Sequence, residues 1–313
     1  MIDRKEKSAK FIQQVIDKSQ MPRNQISSLS GLTNTYIRDL ESGSYASVRR
    51  EKLIFFAVAV SLTLKETDAL LSIFDRTPLS EEDIPTFMEV SERRWTTAAM
   101  LPLRDGFTLE LALLSAERHP GPHRIVSYEP TYCLYSEGHR RYAERNSVAG
   151  HPLYGELVES ISRERRRVFK DNLVSHGATQ YLCRECLETY MDRSVGAEER
   201  GWRIRHLKNI IEALQTYDSF SIYLINLCPR TTFTLKMAAD AKKDTEKLCT
   251  IFWPQHKIRG ERSGRLSGYT TDNPVIIQNF KQELTAIQET VIDAYSEKAD
   301  LIDHLNEMMA EPE

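Results

Sequence analysis

Apolar residues in the first 75 positions recur at helical spacing and are separated by residues that favour turns. Gly31 and Gly43 each follow such a stretch, and Thr33 stands where its side chain can cap the next helix. Two further helical stretches occupy residues 53–62 and 64–74. The pattern therefore predicts five short helices, and the apolar positions that define the first three are Phe11, Ile12, Val15, Ile16, Ile26, Leu29, Ile37 and Leu40.

The remainder of the chain alternates between helical and strand patterns, which is typical of an α/β domain with a central sheet. Helical spacing is present at residues 108–118, 154–172, 201–217 and 274–309. The strand patterns lie at residues 125–135, 220–227 and 248–253, with a weaker fourth at 231–237. We therefore predict a multidomain protein with an all-α five-helix domain (1–75), a linker holding about one helical turn (76–93), and an α/β domain (94–313) that ends in a long helical segment.

The segment from residue 22 to residue 43 reads PRNQISSLSGLTNTYIRDLESG. It resembles the helix-turn-helix motif of the lambda-repressor-like family, also called the XRE family, so residues 1–75 are expected to bind DNA. Two positions depart from the family pattern. Many members carry an arginine in the first helix that pairs with the glutamate corresponding to Glu41, whereas this chain has Ile16 there, and Pro22 replaces the usual Ser or Thr cap.

The second helix of this motif carries side chains suited to reading base edges in a major groove. Asn34 can pair with adenine, Arg38 can pair with guanine, and Asp39 can accept a hydrogen bond from cytosine. Tyr36 is predicted to reach a phosphate or a thymine methyl group. The resemblance implies base reading by Asn34, Thr35 and Asp39 and phosphate binding by Arg23, Ser42 and Ser44. Arg49 and Arg50 then extend the phosphate contact, and the full predicted DNA-binding set is Arg23, Asn34, Thr35, Tyr36, Arg38, Asp39, Ser42, Ser44 and Arg49.

A single motif contacts few base pairs, so the predicted partner of this double-stranded DNA-binding domain is a second copy of the chain. The C-terminal helical stretch offers an apolar face for such a homodimer. The alternative is that the same face packs on its own domain. Its apolar residues are Ile287, Val291, Ile292, Tyr295, Leu301, Ile302 and Leu305.

The charge of the chain is uneven along its length. Residues 1–80 contain 12 Lys and Arg against 9 Asp and Glu, although the whole chain has a formal net charge of −3. A mild basic excess in this part agrees with phosphate binding. The chain starts with a charged segment without the features of an export signal and has no apolar run that predicts a membrane span, so a cytoplasmic location is expected.

The C-terminal part resembles the phospholipase-D-like sensor domains of some bacterial DNA-binding proteins, through SRERRRVFKDNL and RLSGYTTDNPVIIQNFKQEL. The enzymes of that superfamily use a His-x-Lys motif followed by an Asp. Here the His206–Lys208 pair lies in a predicted helix, and Ala213 stands at the expected Asp position, so only the fold is carried over. The basic run from Arg163 to Lys170 is interpreted as a solvated surface, with an anionic effector or DNA as the alternatives.

Cys183 and Cys186 form the one CxxC pair in the sequence. Such a pair can supply half of a zinc site or act as a redox couple, but zinc needs further ligands. We expect both cysteines on one helix without a metal. The residues that could complete a metal site, if the fold gathers them, are Cys133, Cys228, Cys249, His176 and His206.

These patterns predict a transcriptional regulator that responds, through its C-terminal domain, to a small-molecule or protein effector. Two other classes stay open. One is an antitoxin-like or scaffold protein that holds a partner protein and autoregulates its operon, and the other is an enzyme of phospholipase-D-like ancestry. No phosphate-binding loop, GxSxG elbow or HExxH motif is present in the sequence, so we expect no catalysis and no cofactor.

Overall fold

The computed structural model of the chain combines an all-helical N-terminal part with a mixed α/β part. It describes residues 4–19, 21–90, 100–136, 151–191, 196–229, 231–237, 246–253 and 267–310. Within this described part, none of the helices combines the length and the apolar character that crossing a bilayer requires.

The N-terminal part contains the five predicted helices, and their buried sides form one core. Ile12, Ile26 and Ile37 are fully buried at the centre of that core, together with Leu40 and Leu53. The bounds of the helices are α1 (Arg4–Ser19), α2 (Arg23–Ser30), α3 (Asn34–Ser42), α4 (Arg50–Ala59) and α5 (Leu64–Ile73).

Residues 76–93 differ from the expected linker, because residues 81–90 are helical and packed. A 3-10 turn, Glu81–Asp83, leads directly into α6 (Ile84–Val90), and Phe87 of α6 is fully buried. Arg50 fastens this segment to the start of α4 by hydrogen bonds to both carboxylate oxygens of Asp83. The apolar side of α6 and this ion pair explain why the segment is packed on the domain and is not a linker. Residues 91–93 of the predicted linker lie outside the described part.

The second part is built on a seven-stranded sheet in the order β1-β7-β6-β5-β2-β3-β4. β2, β3 and β4 are parallel to one another, and the remaining neighbours are antiparallel. The strands are β1 (Met100–Leu103), β2 (His123–Ser127), β3 (Ala178–Cys183), β4 (Phe220–Ile225), β5 (Thr232–Met237), β6 (Glu246–Trp253) and β7 (Ser267–Thr271).

The helices of this part surround the sheet, and two short 3-10 turns, Tyr132–Leu134 and Asp293–Tyr295, interrupt the loops. The helices are α7 (Gly106–Glu117), α8 (Tyr154–Ser175), α9 (Arg184–Tyr190), α10 (Ala197–Thr216), α11 (Pro274–Gln288) and α12 (Lys298–Met309). The helix predicted at 274–309 is therefore two helices, and the strand predicted at 125–135 ends at Ser127. Strands β1, β3 and β7 were not predicted.

The apolar face of α11 and α12 packs mainly on its own domain. Ile287, Leu301 and Leu305 are each no more than 2% exposed and belong to the cores under the sheet. This is the alternative to a dimer seam that the sequence left open.

A buried arginine joins α7 to α8. Arg165 donates to Glu117 through Nε (2.9 Å to Oε2) and Nη2 (2.6 Å to Oε1), and to Glu110 through Nη1 (2.6 Å). All three side chains are at most 6% exposed. Arg165 therefore departs from the solvated surface predicted for the basic run, whereas Arg167, two residues later, has a 62% exposed side chain.

The helical part and the α/β part share contacts. Phe87 of α6 meets Phe107 of α7 edge to face, with ring centroids 5.3 Å apart. Arg104 Nη2 donates to Glu66 Oε1 of α5 over 2.7 Å. His151 Nε2 lies 2.8 Å from Asp68 Oδ2, also on α5. These contacts connect the five-helix unit to the α/β part directly.

Candidate nucleic-acid interface

The local sequence explains why α2 and α3 form a tight helix-turn-helix unit. α2 ends at Gly31, whose positive φ of 67° favours glycine, and the Thr33 hydroxyl accepts from the backbone N–H of Tyr36 to begin α3. α3 ends at Gly43 with φ of 70°, and a Cβ there would lie 3.0 Å from the carbonyl oxygen of Lys5. The turn and the close approach of α1 together fix the direction of α3.

α3 has one buried face and one face of exposed hydrogen-bonding side chains. Ile37 and Leu40 are fully buried, whereas Asn34, Thr35 and Arg38 are exposed. Asp39, also predicted to read bases, is half-buried at the edge of this face. The structure therefore brings the predicted base-reading residues together on one side of one helix.

Arg23 supplies the partner that Glu41 lacks in the first helix. Its Nε donates to Glu41 Oε2 over 2.5 Å and its Nη2 donates to Oε1 over 3.0 Å, and these hydrogen bonds raise the pKa of Arg23. Gln13 Nε2 also donates to the backbone carbonyl of Glu41 over 2.9 Å. Arg23 of α2 thus pairs with Glu41 in place of the first-helix arginine, whose position is occupied by Ile16 in this chain. Arg23, predicted as a phosphate ligand, is instead bonded to Glu41 while its side chain stays 52% exposed.

Tyr36 lies differently from the prediction of a phosphate or methyl contact. The residue is half-buried, its hydroxyl oxygen is inside the protein, and burial raises the pKa of that hydroxyl. The ammonium of Lys52 lies 4.6 Å from the centre of its ring. Tyr36 therefore supports α3 from the side of α4, and its hydroxyl does not extend from the exposed face.

The predicted phosphate-binding residues after α3 divide into two groups. Ser42 and Ser44 are exposed, with their hydroxyl oxygens 2.9 Å apart, and Arg49 is exposed just before α4. Arg50 points elsewhere, since it donates to the carbonyl oxygens of Thr77 and Pro78 as well as to Asp83. The prediction that Arg50 extends the phosphate contact is therefore corrected, because its guanidinium is used to hold the α6 segment.

In the second part, His206 is a structural residue. Its Nδ1 lies 2.9 Å from the Tyr190 hydroxyl and its Nε2 lies 2.9 Å from the Thr131 carbonyl oxygen. The imidazole is fully buried, whereas Lys208 is exposed. The two residues of the His-x-Lys sequence thus lie in different environments, one buried and one exposed.

Sequence reasoning missed a buried basic pair on β2 and β5. His123 and Lys236 face each other in the antiparallel register and are 2% and 1% exposed. Burial lowers the pKa of Lys236 to about 8, against the opposing effect of Glu117, and burial and Lys236 lower the pKa of His123. The sequence signal is a single charged residue, Lys236, within the predicted strand β5, and a lysine with a near-neutral pKa is a candidate functional residue.

The cysteines do not follow the prediction of one helix. Cys183 is the last residue of β3 and is buried, and Cys186 lies in α9 and is half-buried. Cys228 follows β4, is exposed, and lies close to both of them. Cys133 lies elsewhere, with its Sγ 3.1 Å from Glu117 Oε1. His176 directly follows α8, and the side chain of Cys249 lies outside the described part.

Comparison with protein-family models, with curated proteins and with solved structures found no match in any of the three. A function for this chain is therefore inferred from its own geometry.

Proposed function

We propose that this chain is a sequence-specific DNA-binding transcriptional regulator in which α3 enters the major groove. The observation that carries the proposal is the division of α3 into a buried apolar face and an exposed face with Asn34, Thr35 and Arg38. A helix whose buried face is packed on the domain, and whose exposed face carries hydrogen-bonding side chains, suits a major groove about 12 Å wide.

The C-terminal end of α3 supports the same proposal. Ser42 and Ser44 at that end, and Arg49 just before α4, are exposed and offer two hydroxyls and a guanidinium to the phosphates beside the groove. The excess of Lys and Arg in residues 1–80 has the sign that phosphate binding requires. We further propose a homodimer acting in the cytoplasm, since two units about 34 Å apart would contact successive turns of one duplex face.

The α/β part is proposed to transmit a signal to the DNA-binding unit through the contacts between them. Arg104 and His151 bond to α5. A cavity of about 60 Å³ lies between α2, α4, β1 and α7, with Leu29, Val58, Leu101 and Phe107 among its lining residues. A change in the α/β part that altered this packing would move α2, to which α3 is joined by a three-residue turn.

The test begins with selection of binding sites from a pool of random duplexes by the full chain. Fluorescence anisotropy then measures the affinity of the chain and its variants for the selected duplex and for a scrambled one. Because a base contact contributes about 1–3 kcal/mol, Asn34→Ala and Arg38→Ala should each weaken binding to the selected duplex about 5- to 150-fold. Lys208→Ala, which removes an exposed charge from α10, is the matched control and should leave the affinity unchanged.

Two results would contradict the proposal. Either no duplex is enriched by the full chain, or both α3 variants, with unchanged circular dichroism, bind the selected duplex as tightly as the original chain. Co-purification of a neighbouring gene's product together with the first result would favour the partner-binding class instead.

A further inference from the structure

The fold gathers three cysteines at one edge of the sheet. β3 and β4 are parallel neighbours, and Cys183, the last residue of β3, stands opposite Ile225, the last residue of β4. Cys186 follows in α9, and Cys228 follows β4 after a short turn. Because the carboxyl ends of parallel strands meet at the same edge, residues 42 positions apart in sequence become neighbours.

The sulfur atoms are already spaced like the ligands of a metal ion. Sγ of Cys186 lies 3.6 Å from Sγ of Cys228, and the three sulfur atoms lie within 4.8 Å of one another. A tetrahedral zinc ion with Zn–S bonds of about 2.3 Å separates its sulfur ligands by about 3.8 Å. A disulfide would require a separation of about 2.05 Å, and these cysteines are free.

We propose that Cys183, Cys186 and Cys228 bind one Zn²⁺ ion as three thiolates. The graded exposure of the three residues provides access, since Cys228 is exposed, Cys186 is half-buried and Cys183 lies beneath them. On binding, each thiol transfers its proton to solvent as its zinc–sulfur bond forms, so the bound ion and its three thiolates carry a net charge of −1. A water molecule or an added ligand fills the fourth position of the tetrahedron.

A divalent cation placed among the three sulfur atoms would offset the mutual repulsion that crowded thiolates otherwise meet.

The experiment measures metal binding by the full chain and does not depend on whether it binds DNA. Reduced, metal-free protein is titrated with Zn²⁺ in competition with a chromogenic chelator, and Co²⁺ is used separately as a spectroscopic probe. We expect one ion per chain and a thiolate-to-cobalt charge-transfer absorption of the strength given by three sulfur ligands. Cys228→Ser should lower the Zn²⁺ affinity at least tenfold and weaken that absorption by about one third.

Cys133→Ser is the matched control, because Cys133 is a free cysteine bonded to Glu117 away from the cluster, and it should bind Zn²⁺ as the original chain does. The proposal is overturned if the reduced chain binds less than a tenth of an equivalent of Zn²⁺ at concentrations that saturate the chelator. Equal Co²⁺ spectra for the original chain and Cys228→Ser would also overturn it. The titration of the original chain keeps the test decisive even if a variant folds poorly.

Discussion

Replacing Arg165 by methionine removes the cation that lies between two buried carboxylates. In the folded chain its guanidinium makes four hydrogen bonds of 2.6–3.1 Å to Glu110 and Glu117. Glu117 is 1% exposed and Glu110 is 3% exposed, so water cannot replace the lost partner without local opening. Breaking a buried ion pair by removing one partner costs about 3–5 kcal/mol. Folded domains are typically stable by only about 5–15 kcal/mol, so this loss is large.

Urea denaturation at pH 7, followed by circular dichroism, measures the effect on the free energy of unfolding. Arg167→Met on the same helix is the matched control: its pairs with Glu164 and Asp171 are at the surface, and such pairs contribute about 0–1 kcal/mol.

A second variant separates the loss of charge balance from the loss of packing. Combining Arg165→Met with Glu110→Gln and Glu117→Gln removes the formal charges of these three side chains, and we expect it to recover part of the lost stability. The reasoning is refuted if Arg165→Met lowers the free energy of unfolding by less than about 1 kcal/mol, or if Arg167→Met lowers it by the same amount.

Three further predictions concern other parts of the chain. Arg49→Ala should weaken binding to selected and scrambled duplexes alike and reduce the slope of log K against log salt by about 0.9; an unchanged slope contradicts a phosphate contact. Since burial lowers the folded-state pKa of Lys236 to about 8, the unfolded chain binds more protons and stability rises between pH 8 and 10.5. Lys236→Met should raise the midpoint of thermal unfolding at pH 7 and flatten this rise, and a lower midpoint would show that the ammonium is needed. Burial opposes ionisation of Glu66, but hydrogen bonds from Arg104 and the backbone of Thr63 outweigh it and lower its pKa to about 2. This stabilisation is present above pH 4.5 and is lost as the pH falls towards 2, so Arg104→Ala should destabilise the chain at pH 7 with little effect at pH 2 in thermal melts.

The helices of the N-terminal part could be predicted because their signals are local. Thr33 caps α3, and Gly31 and Gly43 adopt the positive φ that ends a helix, so neighbouring residues determine where α2 ends and where α3 begins and ends. Helical periodicity likewise placed Ile37 and Leu40 on the buried face, which left Asn34 and its neighbours outside. Whether this exposed face binds DNA stays a prediction.

The long polar side chains could not be placed from the sequence, because each has several partners within reach of its flexible stem. Arg23, Arg50 and Arg165 all belong to segments predicted to bind phosphate or face solvent. The tertiary structure pairs them instead with Glu41, Asp83 and the two buried glutamates of α7. Each partner lies on another element, 18 residues away for Arg23, 33 for Arg50, and 48 and 55 for Arg165.

The sequence by itself determined the five N-terminal helices, the face of α3 and the mixed α/β character of the remainder. Only the tertiary structure decided that Cys228 lies beside Cys186 and that Lys236 lies opposite His123. The physical reason is the range of the forces involved. Helix caps and periodicity act over a few residues, whereas strand order and register bring together residues more than 40 positions apart, and no local pattern encodes that pairing.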